Sequence, residues 1–260
     1  MENNRIAKNA AILTASQLIT LMITFVSAML LSRFRTLTEY GTYSQLIVIV
    51  TLVVSVFSLG LPNSTNFFLA RAKDGKERSE FLSVFYTLCT LLSIAMAVIV
   101  PFIAPIFGRY FDNPYITQYT YFLAIYPWTQ LTVSNISNVL VVYNKTLKLL
   151  VVNSVNAMVS IVSIIAVQVF SLGFSSYMLF FLCGEIAISV WIYVIVFRLE
   201  GNIKPKFDKK WLKLIISYSI PIGFASLVST VNIEIDKLMI GNFFDTETMA
   251  IYTNSAKELP

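Results

Sequence analysis

The sequence has no histidine. That absence removes the commonest general base and the commonest metal ligand. The two cysteines, Cys89 and Cys183, each sit inside an apolar run with no paired spacing, so neither a disulfide nor a thiolate metal site is expected. Charge is scarce: 13% of residues are Asp, Glu, Lys or Arg, against roughly 25% in soluble domains. A chain so short of charge cannot make a polar exterior, and lipid is its better solvent. No Gly-rich phosphate loop, nucleophile elbow or ordered carboxylate pair occurs, so an enzyme is not expected. The first apolar segment is as long as a membrane span and no small-residue cleavage site follows it, unlike a removable signal peptide.

What the chain has in quantity is apolar surface: 57% of residues are hydrophobic. A bilayer core needs about 20 apolar helical residues, and the charge-free stretches supply them. They predict spans at Asn9 to Ser32, Tyr40 to Ala70 (ending through Gly60 and Pro62), Phe81 to Gly108 and Asn113 to Asn144. Leu149 to Phe197 is long enough for two helices, broken at the turn residues Ser171 to Ser176. Leu214 to about Phe243 makes a seventh, and the stretch up to Pro260 begins an eighth. Strands of a barrel would need in/out alternation, which these runs lack.

The net charge is +5, but the basic residues fall between apolar runs, where they read as topology rather than as a nucleic-acid surface. Arg5, Lys8, Arg71, Lys73, Lys76, Arg78, Lys145, Lys148, Arg198 and five lysines from Lys204 to Lys213 fall on one side. Only Arg33, Arg35 and Arg109 fall on the other. The positive-inside rule then places the N-terminus in the cytoplasm. Residues 201–213, rich in lysine and carrying Pro205 and Trp211, read as a cytoplasmic linker against anionic headgroups, with Trp211 at the interface.

The exits of spans one and seven match. Phe34 to Tyr43 and Phe243 to Tyr252 share the Phe-to-Tyr spacing, each with a polar turn and a small residue (Gly41, Ala250) before the tyrosine. Spans one and seven start on the same side, so the repeat is parallel, as in transporters built from two like halves.

Polar residues recur at helical spacing in three spans: Thr14, Gln17, Thr20, Thr24 and Ser27 in the first; Thr51, Ser55, Ser58, Pro62 and Asn66 in the second; Asn153, Asn156, Ser160 and Ser163 in the fifth. In lipid such groups cost several kcal/mol each, so they face a cavity or another helix. Glu185 is the one acid near the middle of a span, where a proton, a partner or a cation must neutralise it. Glu234 and Lys237 are one helical turn apart and placed to pair, while Asp236 points elsewhere. Arg33 and Arg35 end the first span on the outer side and Arg71 ends the second on the inner side. They are candidate phosphate contacts by their fork of donors, or simply snorkelling cations.

The segment Ser32 to Tyr43 resembles the first-helix exit of Wzx-type flippases. Ser58-Leu59-Gly60-Leu61-Pro62-Asn63 with Phe67 to Arg71 resembles the end of their second helix. Asn232, Asp236, Lys237, Ile240 and Gly241 look like the start of their second lobe. The chain is similar throughout to the O-antigen, Wzx-like branch of the MOP superfamily, whose fold drug exporters of the MATE type share. The resemblance implies an all-α membrane protein of MATE-like fold, with residues 1–200 a six-helix lobe, 201–213 an interlobe linker, and 214–260 the seventh helix and a partial eighth of a second lobe. It implies alternating-access transport of an undecaprenyl-pyrophosphate-linked oligosaccharide across the bacterial cytoplasmic membrane. Partners would be that lipid-linked glycan, membrane lipids and glycan polymerase machinery.

On this reading helix one lines the cleft, and Gln17, Thr20, Thr24, Asn63, Asn66, Asn153 and Asn156 face the substrate. No cofactor is expected beyond coupling Na⁺ or H⁺. Glu185 is one coupling candidate and Asp236 the second, because related flippases place a sodium-binding acid on the seventh helix. The competing expectations are a MATE-like drug/cation antiporter, a membrane enzyme acting on glycans, and a truncated, non-transporting remnant. In the truncated case the seventh helix would either dock on the first lobe or hold its acids at the outer interface.

Overall fold

The computed structural model describes residues 2–201 and 203–256, with side chains at Ala7 and from Asn9 onward. The side chains of Arg5 and Lys8, used above for topology, and the final Pro260 lie outside the described residues. Among the described residues every regular element is a helix: α1 (Glu2–Phe34), α2 (Leu37–Ser58), α3 (Leu61–Arg71), α4 (Gly75–Tyr110), α5 (Tyr115–Gln118), α6 (Thr120–Val142), α7 (Thr146–Val169), α8 (Phe174–Glu200), α9 (Lys209–Phe243) and α10 (Thr246–Ser255). Six of them, α1 from Asn9, α2, α4, α7, α8 and α9, are long and apolar enough to cross a membrane. The chain is a multi-pass, all-α membrane protein.

The helix ends follow local chemistry. Thr36 and Glu39 form a reciprocal capping box at the start of α2. Asp74 caps α4 through the Glu77 amide at 2.7 Å, and Asp245 caps α10 through the Thr248 amide at 2.7 Å. The hydrogen bonds from Thr248 hold the Asp245 carboxyl below its usual range, so it caps as a carboxylate. The expected break near Ser171 is present: α7 ends at Val169 and α8 begins at Phe174.

Two expectations are modified. The second span is two helices, because Leu59 (φ 49°) and Gly60 (φ 70°) adopt the left-handed region between α2 and α3. Pro62, in the first turn of α3, suits a restart there. The fourth span, α6, is absent from the six strongly apolar helices. At 1.5 Å per residue it is still about 35 Å long, enough to cross. It carries buried Thr129, Thr132 and Asn135 and packs against α2, α3, α4, α7 and α8. Protein meets its polar groups: Asn135 donates to Cys89 Sγ at 3.4 Å, and Asn138 to the Pro62 carbonyl at 2.8 Å.

The remaining helices surround this centre. α1 lies chiefly along α7, and α8 packs on α6 and α7. α9 runs over α2, α3 and α4, while α10 lies against α2 and α9. Where α9 crosses the α2–α3 break, the two backbones meet directly. A β-carbon on Gly223 would lie 2.4 Å from the Leu59 carbonyl carbon, and one on Gly60 would lie 2.6 Å from the Gly223 nitrogen. Small residues permit such an approach. The repeat is visible at the opposite end of α2. Thr38 and Glu247, 209 residues apart and equivalent in the repeat, hydrogen-bond to each other at 3.1 Å. The matched helix starts therefore face one another.

The linker is not loose. The amides of Lys204 and Lys206 donate to Ser83 Oγ (3.3 Å) and Thr87 Oγ1 (3.1 Å), and the Lys206 ammonium pairs with Glu80 at 3.1 Å. Trp211 is half-buried, its ring edge-on to Phe68 and Phe81.

Candidate functional site

Two adjoining cavities occupy the space between α1 and the α9–α10 pair. The inner one, about 310 Å³, is lined by α1, α2, α6, α7, α8, α9 and α10 and holds Glu185, Asn156 and the Glu234–Lys237 pair. The other, about 660 Å³, lies between α1 and α9–α10 and is lined by Gln17, Thr20, Thr24 and Asp236. Thr24, Lys237 and Thr253 line both.

Glu185 sits on α8 and is 2% exposed. Its Oε2 is buried without a hydrogen-bond partner among the described residues, and so is Oδ1 of Asn156 across the cavity wall. Unmet oxygens buried beside a cavity inside a membrane protein are costly unless something else meets them. Tyr43 and Tyr126 line the same cavity. Next to it, Tyr177 meets Ser160 at 3.3 Å and packs edge-on against Tyr43 with ring centres 6.0 Å apart.

On α9, Lys237 pairs with Glu234 at 2.8 Å, as the one-turn spacing implied. Asp236 does point elsewhere: it accepts a hydrogen bond from the Tyr252 phenol of α10. Lys237 is the only cation among the residues lining the two cavities, against three carboxyl groups, Glu185, Glu234 and Asp236.

The candidate residues divide. Gln17, Thr20, Thr24, Asn156, Glu185 and Asp236 are brought together around the two cavities. The hydroxyls of Thr20 and Thr24 donate to the carbonyls one turn back, at 2.9 and 2.8 Å. Asn63, Asn66 and Asn153 line neither cavity. Asn66 bonds Asn138 at 3.0 Å, Asn153 bonds Ser16 at 3.3 Å in the α1–α7 seam, and Asn63 is on the exposed face of α3. The second-span stripe also serves packing, since Ser55 donates to Thr230 of α9 at 3.1 Å.

None of the three arginines lines either cavity. Arg33 is exposed. Arg35 reaches the Leu172 carbonyl at 3.4 Å and so ties the end of α1 to the α7–α8 turn. The Arg71 guanidinium lies 3.8 Å over the Phe67 ring, a cation–π contact. The cavity residues Tyr126 and Thr253 were not legible as site residues, because single polar residues in such runs carry no spacing signal; Tyr43 and Tyr252 were marked only as the matched ends of the repeat.

Compared with known proteins, no curated protein and no solved structure matches the chain. A family model described as polysaccharide biosynthesis protein matches residues 6–259. With nearly its whole length matched, on an all-helical, membrane-spanning bundle, the chain belongs to the polysaccharide biosynthesis protein family.

Proposed function

We propose that this chain takes part in moving a lipid-linked oligosaccharide, an undecaprenyl-pyrophosphate glycan, across the bacterial cytoplasmic membrane. The mechanism is alternating access coupled to Na⁺ or H⁺, and polymerase machinery receives the product. Residues 1–200 act as one lobe, 201–213 as the linker, and 214–260 as the start of the other. The observation that carries the reading is the polar cavity inside a membrane bundle of this family, with the Glu185 and Asn156 oxygens unmet. In this reading Gln17, Thr20, Thr24 and Asn156 contact the sugar, and Glu185 and Asp236 take the coupling ion. The test places the chain within a complete two-lobe protein in a strain lacking its own flippase. Surface glycan should return. Glycan precursor that stays on the inner leaflet would refute the reading.

One observation favours a second reading, a drug/cation antiporter. Three carboxyl groups and a single ammonium line the cavities, a balance that suits a cationic substrate better than a pyrophosphate. Efflux of a cationic dye by the same strain, without surface glycan, would decide for it.

The topology that goes with the proposal puts the N-terminus and the linker in the cytoplasm. In a background lacking Cys89 and Cys183, single cysteines at Lys76 and Lys209 should resist impermeant thiol reagents in intact cells, whereas one at Asp112 should react. Labelling at Lys209 but not at Asp112 reverses the orientation.

A further inference from the structure

Two apolar grooves flank the last turns of α8, away from the cavities described above. One, about 790 Å³, lies between α4 and α8 beside the 203–207 segment, with Leu91, Val190 and Phe197 in its wall. The other, about 540 Å³, lies between α7 and α8, with Val151 and Trp191 in its wall. The grooves share Val194 and Arg198. The α8 ridge therefore separates two apolar troughs that have one guanidinium in common. Lys204 joins Arg198 at the first groove; Lys145 and Lys148 join it at the second.

No acid lines either groove, and none of these four cations has an ion-pair partner among the described residues. The nearby acids are engaged elsewhere: Glu80 pairs with Lys206, and Glu200 accepts from the Tyr143 phenol. The groove walls face outward, with Val190 53% and Phe197 55% exposed.

We infer that this is a binding site for an anionic diacyl phospholipid, with its phosphate on Arg198 between the lysines and one acyl chain in each groove. The forked guanidinium matches phosphate oxygens. Basic pockets between helices at a membrane surface select anionic headgroups. A zwitterionic lipid would bring its own ammonium into the cationic cluster. A soluble anion would leave the apolar walls uncovered. A symmetric contact with a second copy would set Arg198 against its own counterpart.

Trp191 is the reporter, because it lines the α7–α8 groove. The chain has three tryptophans, and Trp128→Phe with Trp211→Phe leaves Trp191 alone. That protein is reconstituted in phosphatidylcholine vesicles to which chain-brominated phosphatidylglycerol or chain-brominated phosphatidylcholine is added. Quenching by the brominated phosphatidylglycerol should be half-maximal at a mole fraction roughly thirtyfold lower than for brominated phosphatidylcholine, as two engaged cations would give. Arg198→Gln with Lys148→Gln should remove that preference. Equal quenching by the two lipids overturns the proposal, because the grooves then hold bulk lipid. Quenching by neither overturns it in favour of a protein contact or the substrate's own lipid tail. Should the double variant fail to fold, the comparison of the two lipids in the reporter protein still decides.

Discussion

Gly223→Leu should detach α9 from the bundle. The position meets backbone, not the end of a flexible side chain: an added β-carbon falls 2.4 Å from the Leu59 carbonyl carbon and 2.6 Å from its oxygen. Leu59 and Gly60 hold left-handed conformations between two helices and have little room to withdraw. Overpacking in a tight core costs typically about 1–3 kcal/mol, and here the alternative to strain is separation of α9 from α2. The reporter is the Ser55–Thr230 contact, whose hydroxyls are 3.1 Å apart. Cysteines at these two positions, in a background lacking Cys89 and Cys183, should react with a short thiol cross-linker in otherwise native protein. The yield should collapse with Gly223→Leu. Gly173→Ala, where nothing lies within 4 Å of the added carbon, should leave it unchanged. An undiminished yield in Gly223→Leu would mean that the crossing is looser than the structure has it.

Glu185→Gln should lower transport in a complete protein and flatten its dependence on pH or sodium. Glutamine keeps the size and polarity of the side chain, so the bundle around Tyr43 and Tyr126 should persist. It removes only the exchangeable charge. Hydrogen bonds to a charged group are worth about 1.5–3 kcal/mol, roughly a ten- to hundredfold effect on an equilibrium, and a loss of that size is expected in the transport rate. Asn156→Leu, which takes away another unmet oxygen of the cavity lining, should lower transport while leaving the ion dependence in place. If Glu185→Gln changes neither the rate nor the ion dependence, the carboxyl group is structural and coupling must be sought at Asp236.

The two carboxyl groups illustrate what can be read from a linear chain. Glu185 stands out because it is a lone acid within an apolar run, and cost alone marks it. Asp236 stands out only by resemblance, and its actual partner, Tyr252, lies on the next helix, beyond the turn at Asp245. The polar stripe of the fifth span shows the ambiguity at its sharpest. Asn153 and Asn156 are three residues apart in one stripe, yet the first bonds Ser16 in the α1–α7 seam and the second faces the cavity. Helical spacing places side chains on a common face, but it does not say which neighbour that face meets.

From the sequence alone, the helical, membrane-spanning class followed from run length and the shortage of charge. The break near Ser171 followed from turn residues whose backbone preferences act locally, whereas the restart at Leu61–Pro62 was not read from the sequence, where the second span is one run. The Glu234–Lys237 pair followed from one-turn spacing. The tertiary structure alone decided that α6, with its polar Thr129, Thr132 and Asn135, is buried among its neighbours, and that Gly60 meets Gly223 across an interhelical crossing. It also decided that six polar candidates line adjoining cavities while three others tie elements together or face outward. Local preferences and lipid solvation act on each segment separately and can be read along the chain. Which polar face meets a cavity and which meets a partner depends on the distances between helices far apart in sequence, and those are set only when all of them pack at once.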